Sequence, residues 1–166
     1  MQKITLRNAS KADVPILQYW DKQPHIHANI PDDFWAWEQE LGVFEPWREQ
    51  LIAQLGERPI GFIQIIDPHD EITQYWGTID KGFRAIDIWI GEADCLSKGY
   101  GTQMMIQAIK RCFSDARVHT ILIDPVVSNK AAHRFYKRLG FVFVEQRQFD
   151  DDECYVFKLT RDIWIS

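Results

Sequence analysis

The stretch Leu96-Ser97-Lys98-Gly99-Tyr100-Gly101-Thr102 decides the fold, because it joins a predicted strand to a predicted helix through two glycines. Glycine lets the backbone turn tightly and approach a ligand closely. The N–H groups of a first helical turn lack partners within the helix, and with the helix dipole they suit a pyrophosphate. The stretch lacks the upstream glycine of a P-loop and the third glycine of a Rossmann fingerprint. Taken alone, a turn of this kind is more often an ordinary helix start than an anion site.

Strand and helix patterns alternate on both sides of this turn. Predicted strands cover residues 4–7, 51–55, 60–66, 83–90, 120–123, 141–144 and 155–159. Predicted helices cover residues 10–20, 31–41, 102–113 and 129–139, and a polar, acidic loop covers 67–82. The loop between the last two strands is short enough for a hairpin. We therefore expect one α/β domain over residues 1–166, a mixed, mostly antiparallel sheet flanked by helices.

The composition is that of a globular protein. Hydrophobic residues make up 46% and charged residues 26% of the 166 positions, a balance that excludes fibres, membrane proteins and disulfide scaffolds. No apolar run reaches the roughly 20 residues of a membrane span, and the N-terminus lacks a signal-peptide pattern. The cysteines and histidines show no metal-type spacing, so we expect no metal, reduced thiols and a cytoplasmic location.

The net charge of −5 is unevenly distributed along the chain. Residues 67–96 carry seven acidic and two basic groups, whereas residues 97–147 carry nine basic and three acidic groups. A basic block suits a phosphate-bearing ligand, and an acidic block suits a cation. Solvated helix faces would explain the same pattern. The acidic total argues against a nucleic-acid partner.

A second segment follows the glycine turn by about 25 residues. It contains Asp124-Pro125, Asn129, Ala132, Phe135-Tyr136 and Leu139-Gly140-Phe141. Together the two segments resemble the acetyl-CoA signature of the GCN5-related N-acetyltransferases (GNAT), with Leu96 standing where Arg or Gln is usual. The resemblance implies a GNAT fold and acetyl-CoA as co-substrate. It implies cofactor contacts at Ile88, Trp89, Ile90, Lys98, Gly99, Tyr100, Gly101, Thr102, Asn129, Ala132 and Lys137.

A narrower resemblance is carried by Trp76, Asp80, Arg84-Ala85-Ile86-Asp87, Asp124-Pro125 and Ser128-Asn129. These residues are similar to those of bacterial aminoglycoside 6'-N-acetyltransferases, which are antibiotic-resistance enzymes. The resemblance implies that Asp87 lies beside the amine to be acetylated and Tyr136 near the thioester sulfur. It also implies that Asp124 binds substrate amines. We expect Asp80 to add charge there and Trp76 to stack on a sugar ring.

The same roles follow from the chemistry of acyl transfer. An amine that arrives as ammonium must lose a proton, which Asp87 would accept directly or through water. Crowding by other carboxylates or partial burial would make it a better base; the candidates are Asp80, Glu92, Asp94 and Asp124. Tyr136 would return a proton to the thiolate, and a backbone N–H of 88–90 would hold the carbonyl oxygen. The plainer interpretations are that Asp87 points outward from its strand and that Tyr136 is a core residue.

The sequence therefore predicts an acetyl-CoA-dependent N-acetyltransferase, a monomer or homodimer. Its acceptor would be a small polycationic amine, foremost the 6'-amine of an aminoglycoside, with no nucleic-acid or membrane partner. A polyamine, a siderophore precursor or a protein amine is an alternative acceptor. A non-catalytic acetyl-CoA-binding module is the alternative from another functional class.

Overall fold

A computed structural model describes residues 1–29 and 35–165. Within these ranges the strands are β1 (Ile4–Asn8), β2 (Arg48–Leu55), β3 (Arg58–Ile66), β4 (Phe83–Ile90), β5 (Thr120–Ile123), β6 (Val142–Phe149) and β7 (Asp152–Thr160). The α-helices are α1 (Val14–Asp21), α2 (Pro24–His27), α3 (Trp37–Glu40), α4 (Tyr100–Phe113), α5 (Lys130–Arg138) and α6 (Arg161–Ile165).

The strands form one seven-stranded sheet in the order β1-β2-β3-β4-β5-β7-β6. β1 and β2, β5 and β7, and β6 and β7 pair antiparallel. β4 and β5 pair parallel, with Phe83 opposite Thr120 and Ala85 opposite Leu122. Connecting parallel neighbours requires a crossover, and the segment between β4 and β5 contains α4. The predicted mixed sheet and the hairpin of the last two strands are confirmed.

Several element boundaries differ from the sequence prediction. β6 and β7 extend to the turn at residues 150–151, because the backbone pairing of these strands continues through polar residues. Polar residues likewise begin β2, at Arg48. The predicted helix over 31–41 is observed only as α3, and residues 31–34 lie outside the described residues. The helices α2 and α6 were not predicted.

The chain divides into two compact units. The N-terminal unit contains Met1–Ile65 and Asp87–Ala108, and the C-terminal unit contains Ile66–Ile86 and Ile109–Ser166. A single domain over residues 1–166 stays a prediction.

The core of the N-terminal unit is rich in aromatic side chains. Trp35 and Trp37 stack with ring centroids 4.9 Å apart, and Phe62 and Trp89 approach to 4.9 Å. Trp37 meets the Phe62 ring edge-on at 5.1 Å. Such pairs stabilise a core beyond the area they bury. This packing fixes the strand β4, to which Trp89 belongs.

All three cysteines are buried, and none forms a disulfide. Burial raises the pKa of the Cys95 thiol. Among the described residues, no helix is both long and apolar enough to cross a membrane.

Candidate active site

The predicted anion-binding turn lies in the N-terminal unit and is exposed. Ser97 and Gly99 adopt left-handed φ angles of 58° and 80°. A Cβ on Gly99 would lie 3.1 Å from the Met1 Sδ atom, so a side chain there would be both strained and crowded. α4 begins at Tyr100 and has no acidic residue in its first turn. The turn and the N-terminal amide groups of α4 therefore fit a phosphate-bearing cofactor.

Arg58 neutralises two carboxylates that precede this turn. Its guanidinium lies 2.7 Å from Asp94 Oδ1 and 2.9 Å from Glu92 Oε2. The Trp20 indole N–H donates to Glu92 Oε1 at 2.8 Å. Hydrogen bonds from Arg58 lower the pKa of Asp94. Neither carboxylate therefore supplies the unpaired negative charge that the sequence analysis expected to act on Asp87.

Asp87 lies on β4 and is half-buried. The Gln64 amide nitrogen donates to Asp87 Oδ2 at 3.2 Å, and the Gln50 amide nitrogen donates to Gln64 Oε1 at 3.0 Å. Sequence reasoning missed both glutamines. A signal was present, because Gln64 is the one polar side chain in the apolar run of residues 60–66.

The next residues of β4 are Ile88, Trp89 and Ile90, for which cofactor contacts were expected. The Trp89 side chain is buried in the aromatic core, and its Nε1 atom has no hydrogen-bond partner within residues 1–29 and 35–165. The Ile90 carbonyl oxygen lies 2.9 Å from His25 Nε2. Ile88 and Ile90 are half-buried. The cofactor roles expected for residues 88–90 remain predictions. The Trp89 side chain packs in the aromatic core of the N-terminal unit.

In the C-terminal unit, part of the acidic charge of the loop 67–82 stabilises the loop itself. Asp67 forms an ion pair with Arg84 at 2.8 Å. Glu71 is buried and accepts backbone hydrogen bonds from Thr73 at 2.7 Å and Tyr75 at 3.0 Å. Burial raises the pKa of Glu71, but the hydrogen bonds to its carboxylate outweigh burial and lower it overall. Fewer carboxylates are therefore available for a cationic ligand than the sequence count suggests.

Tyr75, rather than Trp76, presents an aromatic ring to solvent. Trp76 is 5% exposed and packs edge-on against Phe149 at 5.0 Å, whereas Tyr75 is 41% exposed. Tyr75 stacks on Phe149 with centroids 4.6 Å apart, and its hydroxyl donates to Asp124 Oδ2 at 2.6 Å. The expected sugar stacking by Trp76 is therefore opposed by its burial. Asp80 is exposed on the same loop.

α5 carries the remaining candidates. Tyr136 is 8% exposed, and its ring contacts Phe141 at 5.7 Å between centroids. Asn129 is the N-cap of α5, and its Oδ1 accepts the Ala132 N–H at 3.1 Å. This cap accounts for Asn129 without a cofactor, whereas Ala132 takes part only through its backbone N–H. Lys137 is exposed in the last turn of α5.

The comparison with known proteins decides the family. The Acetyltransferase (GNAT) domain matches residues 9–149, which is most of the chain. The chain belongs to the GNAT acetyltransferase family. The predicted GNAT fold and the acetyl-CoA-dependent N-acetyltransferase class are thereby confirmed.

Relatives within the GNAT family include aminoglycoside acetyltransferases. Aminoglycoside N(6')-acetyltransferase type 1 of Klebsiella pneumoniae is 29% identical over 152 residues, covering 83% of this chain and 73% of the relative. The crystal structure of aminoglycoside acetyltransferase AAC(6')-Ib with coenzyme A has a TM-score of 0.87 and 27% identity, and covers 98% of each chain. The complex of AAC(6')-Ib with coenzyme A and kanamycin has the same TM-score and coverage, at 28% identity.

The described part of this GNAT chain contains no group of three or more histidine, cysteine, aspartate or glutamate side chains that could hold a metal ion.

Proposed function

We propose that this protein transfers the acetyl group of acetyl-CoA to a primary amine of a polycationic small molecule, foremost the 6'-amine of an aminoglycoside. The observation that carries the acceptor is Asp124, a carboxylate held by the Tyr75 hydroxyl at 2.6 Å beside an exposed aromatic ring. A fixed carboxylate binds an ammonium group, and an aromatic face attracts cations. The full-length similarity to AAC(6')-Ib supports the same acceptor class.

The donor is bound by the turn that precedes α4. The amide groups around residues 99–102 would hold the pyrophosphate of acetyl-CoA, and Lys98 and Lys137, both exposed, would add positive charge. The ion pairs of Arg58 with Glu92 and Asp94 support this role, since they neutralise two carboxylates close in sequence to an anion site. Backbone N–H groups of 88–90 would polarise the thioester carbonyl.

The chemistry requires three proton transfers, two from nitrogen and one to sulfur. Asp87 accepts a proton from the ammonium, and the neutral amine then attacks the thioester carbonyl carbon. As the tetrahedral intermediate collapses, the carbon–sulfur bond breaks and the sulfur takes the electron pair. Tyr136 donates its proton to that thiolate, and the second proton that the nitrogen loses as the amide forms restores the Tyr136 phenol through water. The Gln64 hydrogen bond at 3.2 Å supports the first step, because it holds the Asp87 carboxylate in one orientation.

Other acceptors would need different parts of the surface. A polyamine would use the same carboxylates without the aromatic ring of Tyr75, whereas a protein amine would need a longer groove. The structure of spermidine N-acetyltransferase from Vibrio cholerae shares the fold at a TM-score of 0.79 and 14% identity. A non-catalytic acetyl-CoA-binding module would need neither Asp87 nor Tyr136. We also propose a cytoplasmic location, which the three buried thiols without a disulfide support. We propose that the protein is a monomer or a homodimer.

The deciding experiment measures coenzyme A release from acetyl-CoA with aminoglycosides, polyamines and peptides as acceptors, at low and high salt. We expect aminoglycosides to have the highest kcat/KM and to lose affinity as salt rises, because charge attraction is screened over about 8 Å at physiological salt. Asp87→Asn should remove most of kcat/KM, and Asp124→Asn should mainly raise the acceptor KM. A preferred neutral or anionic acceptor, with little salt dependence, would overturn the proposed acceptor class.

A further inference from the structure

The strand β3 contains one buried polar side chain that the proposed reaction does not use directly. Gln64 is 7% exposed and lies between Ile63 and Ile65, which are 0% and 6% exposed. A primary amide in such surroundings is unfavourable unless both of its ends are hydrogen-bonded. Its presence in the apolar run of residues 60–66 therefore requires partners for both the oxygen and the nitrogen.

Both partners are present in the N-terminal unit. The Gln64 nitrogen donates to Asp87 Oδ2 at 3.2 Å, and its oxygen accepts from the Gln50 nitrogen at 3.0 Å. An ionised carboxylate can only accept hydrogen bonds. Gln64 must therefore turn its NH₂ group towards Asp87, which leaves its oxygen in need of a donor. Gln50, on the neighbouring strand β2, supplies that donor.

We propose that Gln50 is a positioning residue for Asp87 and acts through the buried amide of Gln64. This inference rests on the proposed role of Asp87 as proton acceptor. If an acceptor replaces the Gln50 donor, the Gln64 amide gains by reversing, and a reversed amide presents its oxygen to the Asp87 carboxylate. Two facing acceptors repel each other, so the carboxylate would leave the orientation in which it receives the proton of the substrate.

Two substitutions at Gln50 separate hydrogen bonding from packing. Gln50→Glu keeps the length of the side chain but replaces the donor with an acceptor. Gln50→Leu removes both the donor and the acceptor. We expect Gln50→Glu to lower kcat about tenfold, the effect of losing the hydrogen bond from Gln64 to the charged Asp87. Gln50→Leu should lower kcat less, because the Gln64 amide keeps its orientation. The KM for acetyl-CoA should stay within about twofold of the original value, since the proposed anion-binding turn is unchanged. Gln50→Lys retains a donor and should keep most of kcat.

The matched control is Gln54→Leu. Gln54 lies on the same strand four residues on, and its amide donates to the Glu57 carbonyl oxygen at 3.3 Å in the following turn. The same chemical change there should leave kcat unaltered. The melting temperature of each variant shows whether a loss of activity is due to unfolding. If Gln50→Leu does not fold, Gln50→Lys still tests the proposal.

A double-mutant cycle tests the route through Gln64. In a Gln64→Met background, Gln50→Glu should cause no further loss of kcat, because the intermediate amide is gone. An undiminished tenfold loss in that background would overturn the proposal, as would a folded Gln50→Glu variant with full kcat. If Asp87→Asn itself retains full activity, the proposed base role fails. If Asp87→Asn is inactive while the Gln50 variants keep full kcat, the proposed base role of Asp87 is retained and the positioning role of Gln50 is rejected.

Discussion

The Tyr75 hydroxyl donates a 2.6 Å hydrogen bond to Asp124 Oδ2, joining the acidic loop to the segment that follows β5. The Tyr75 ring is stacked on Phe149, with an angle of 10° between the two planes. Arg147 supports the other side of this arrangement, since it donates to the Trp76 carbonyl oxygen at 3.1 Å and lies over the Phe149 ring. One side chain thus orients a carboxylate and displays an aromatic face.

Tyr75→Phe isolates the hydroxyl, because the phenylalanine ring can keep the stacking on Phe149. Losing a hydrogen bond to a charged group should raise the acceptor KM by roughly 5- to 20-fold, with a smaller effect on kcat. Steady-state kinetics with an aminoglycoside as variable substrate measure this change. Tyr19→Phe, at an exposed tyrosine of α1, is the control. An unchanged acceptor KM would remove Tyr75 from the acceptor site.

Gly101→Val tests the donor side. A branched side chain in the first turn of α4 should crowd the pyrophosphate and weaken coenzyme A binding by about tenfold or more, which is typical of overpacking. Isothermal titration calorimetry with coenzyme A gives the affinity directly, without an acceptor. The same affinity in the variant and the original protein would place the phosphates elsewhere.

Tyr136→Phe removes the phenol and keeps the ring that packs against Phe141. If Tyr136 protonates the thiolate, kcat should fall by roughly 10²- to 10⁴-fold, the range typical of general acid–base groups. The KM for acetyl-CoA should change much less. A retained melting temperature excludes a packing defect in this buried tyrosine. Full activity would mean that water or another group protonates the sulfur.

Asp13→Asn concerns stability. Arg7 donates to both oxygens of Asp13, at 2.8 and 2.7 Å, and the Ser10 N–H adds a third hydrogen bond at 2.8 Å. Burial raises the pKa of Asp13, but these bonds outweigh burial and lower it below 3.8. The carboxylate therefore stabilises the fold fully above its unfolded pKa, and this contribution is lost as the pH falls through the lowered value.

Asp13→Asn should lower the free energy of unfolding by about 1–3 kcal/mol at neutral pH. Urea unfolding at several pH values measures it, and the difference from the original protein should shrink below about pH 4. Asp70→Asn, at an exposed loop carboxylate, should have little effect at any pH. A difference that does not vary with pH would assign the stabilisation to the shape of Asp13 rather than its charge.

The elements that the sequence predicted well are those with local signals. α5 begins after the Asn129 cap and is followed by Gly140, whose φ of 96° favours glycine. The turn before β3 is marked by Gly56, with a φ of 59°. Each of these signals acts within a few residues, so no knowledge of the tertiary fold is needed to interpret it.

The contacts that orient the candidate carboxylates depend on residues far apart in sequence. Tyr75 and Asp124 are 49 positions apart, and Gln64 and Asp87 are 23 apart. Neither pairing has a period or a motif. The burial of Trp76 likewise depends on Phe149 from the last hairpin. Because Trp76 lies in a polar loop, the sequence favoured an exposed ring. In the structure the ring is buried by its contact with Phe149, which is far away in sequence.

The burial of Cys95, Cys112 and Cys154 has a practical consequence for measuring turnover. Their exposed fractions are 2%, 4% and 2%, and burial also raises the pKa of the Cys95 thiol, which lowers its share of reactive thiolate. A disulfide reagent that reports coenzyme A should therefore react slowly with the native protein. Unfolding would expose three thiols per chain. The same reagent, without substrates, thus becomes an internal reporter of unfolding in every variant.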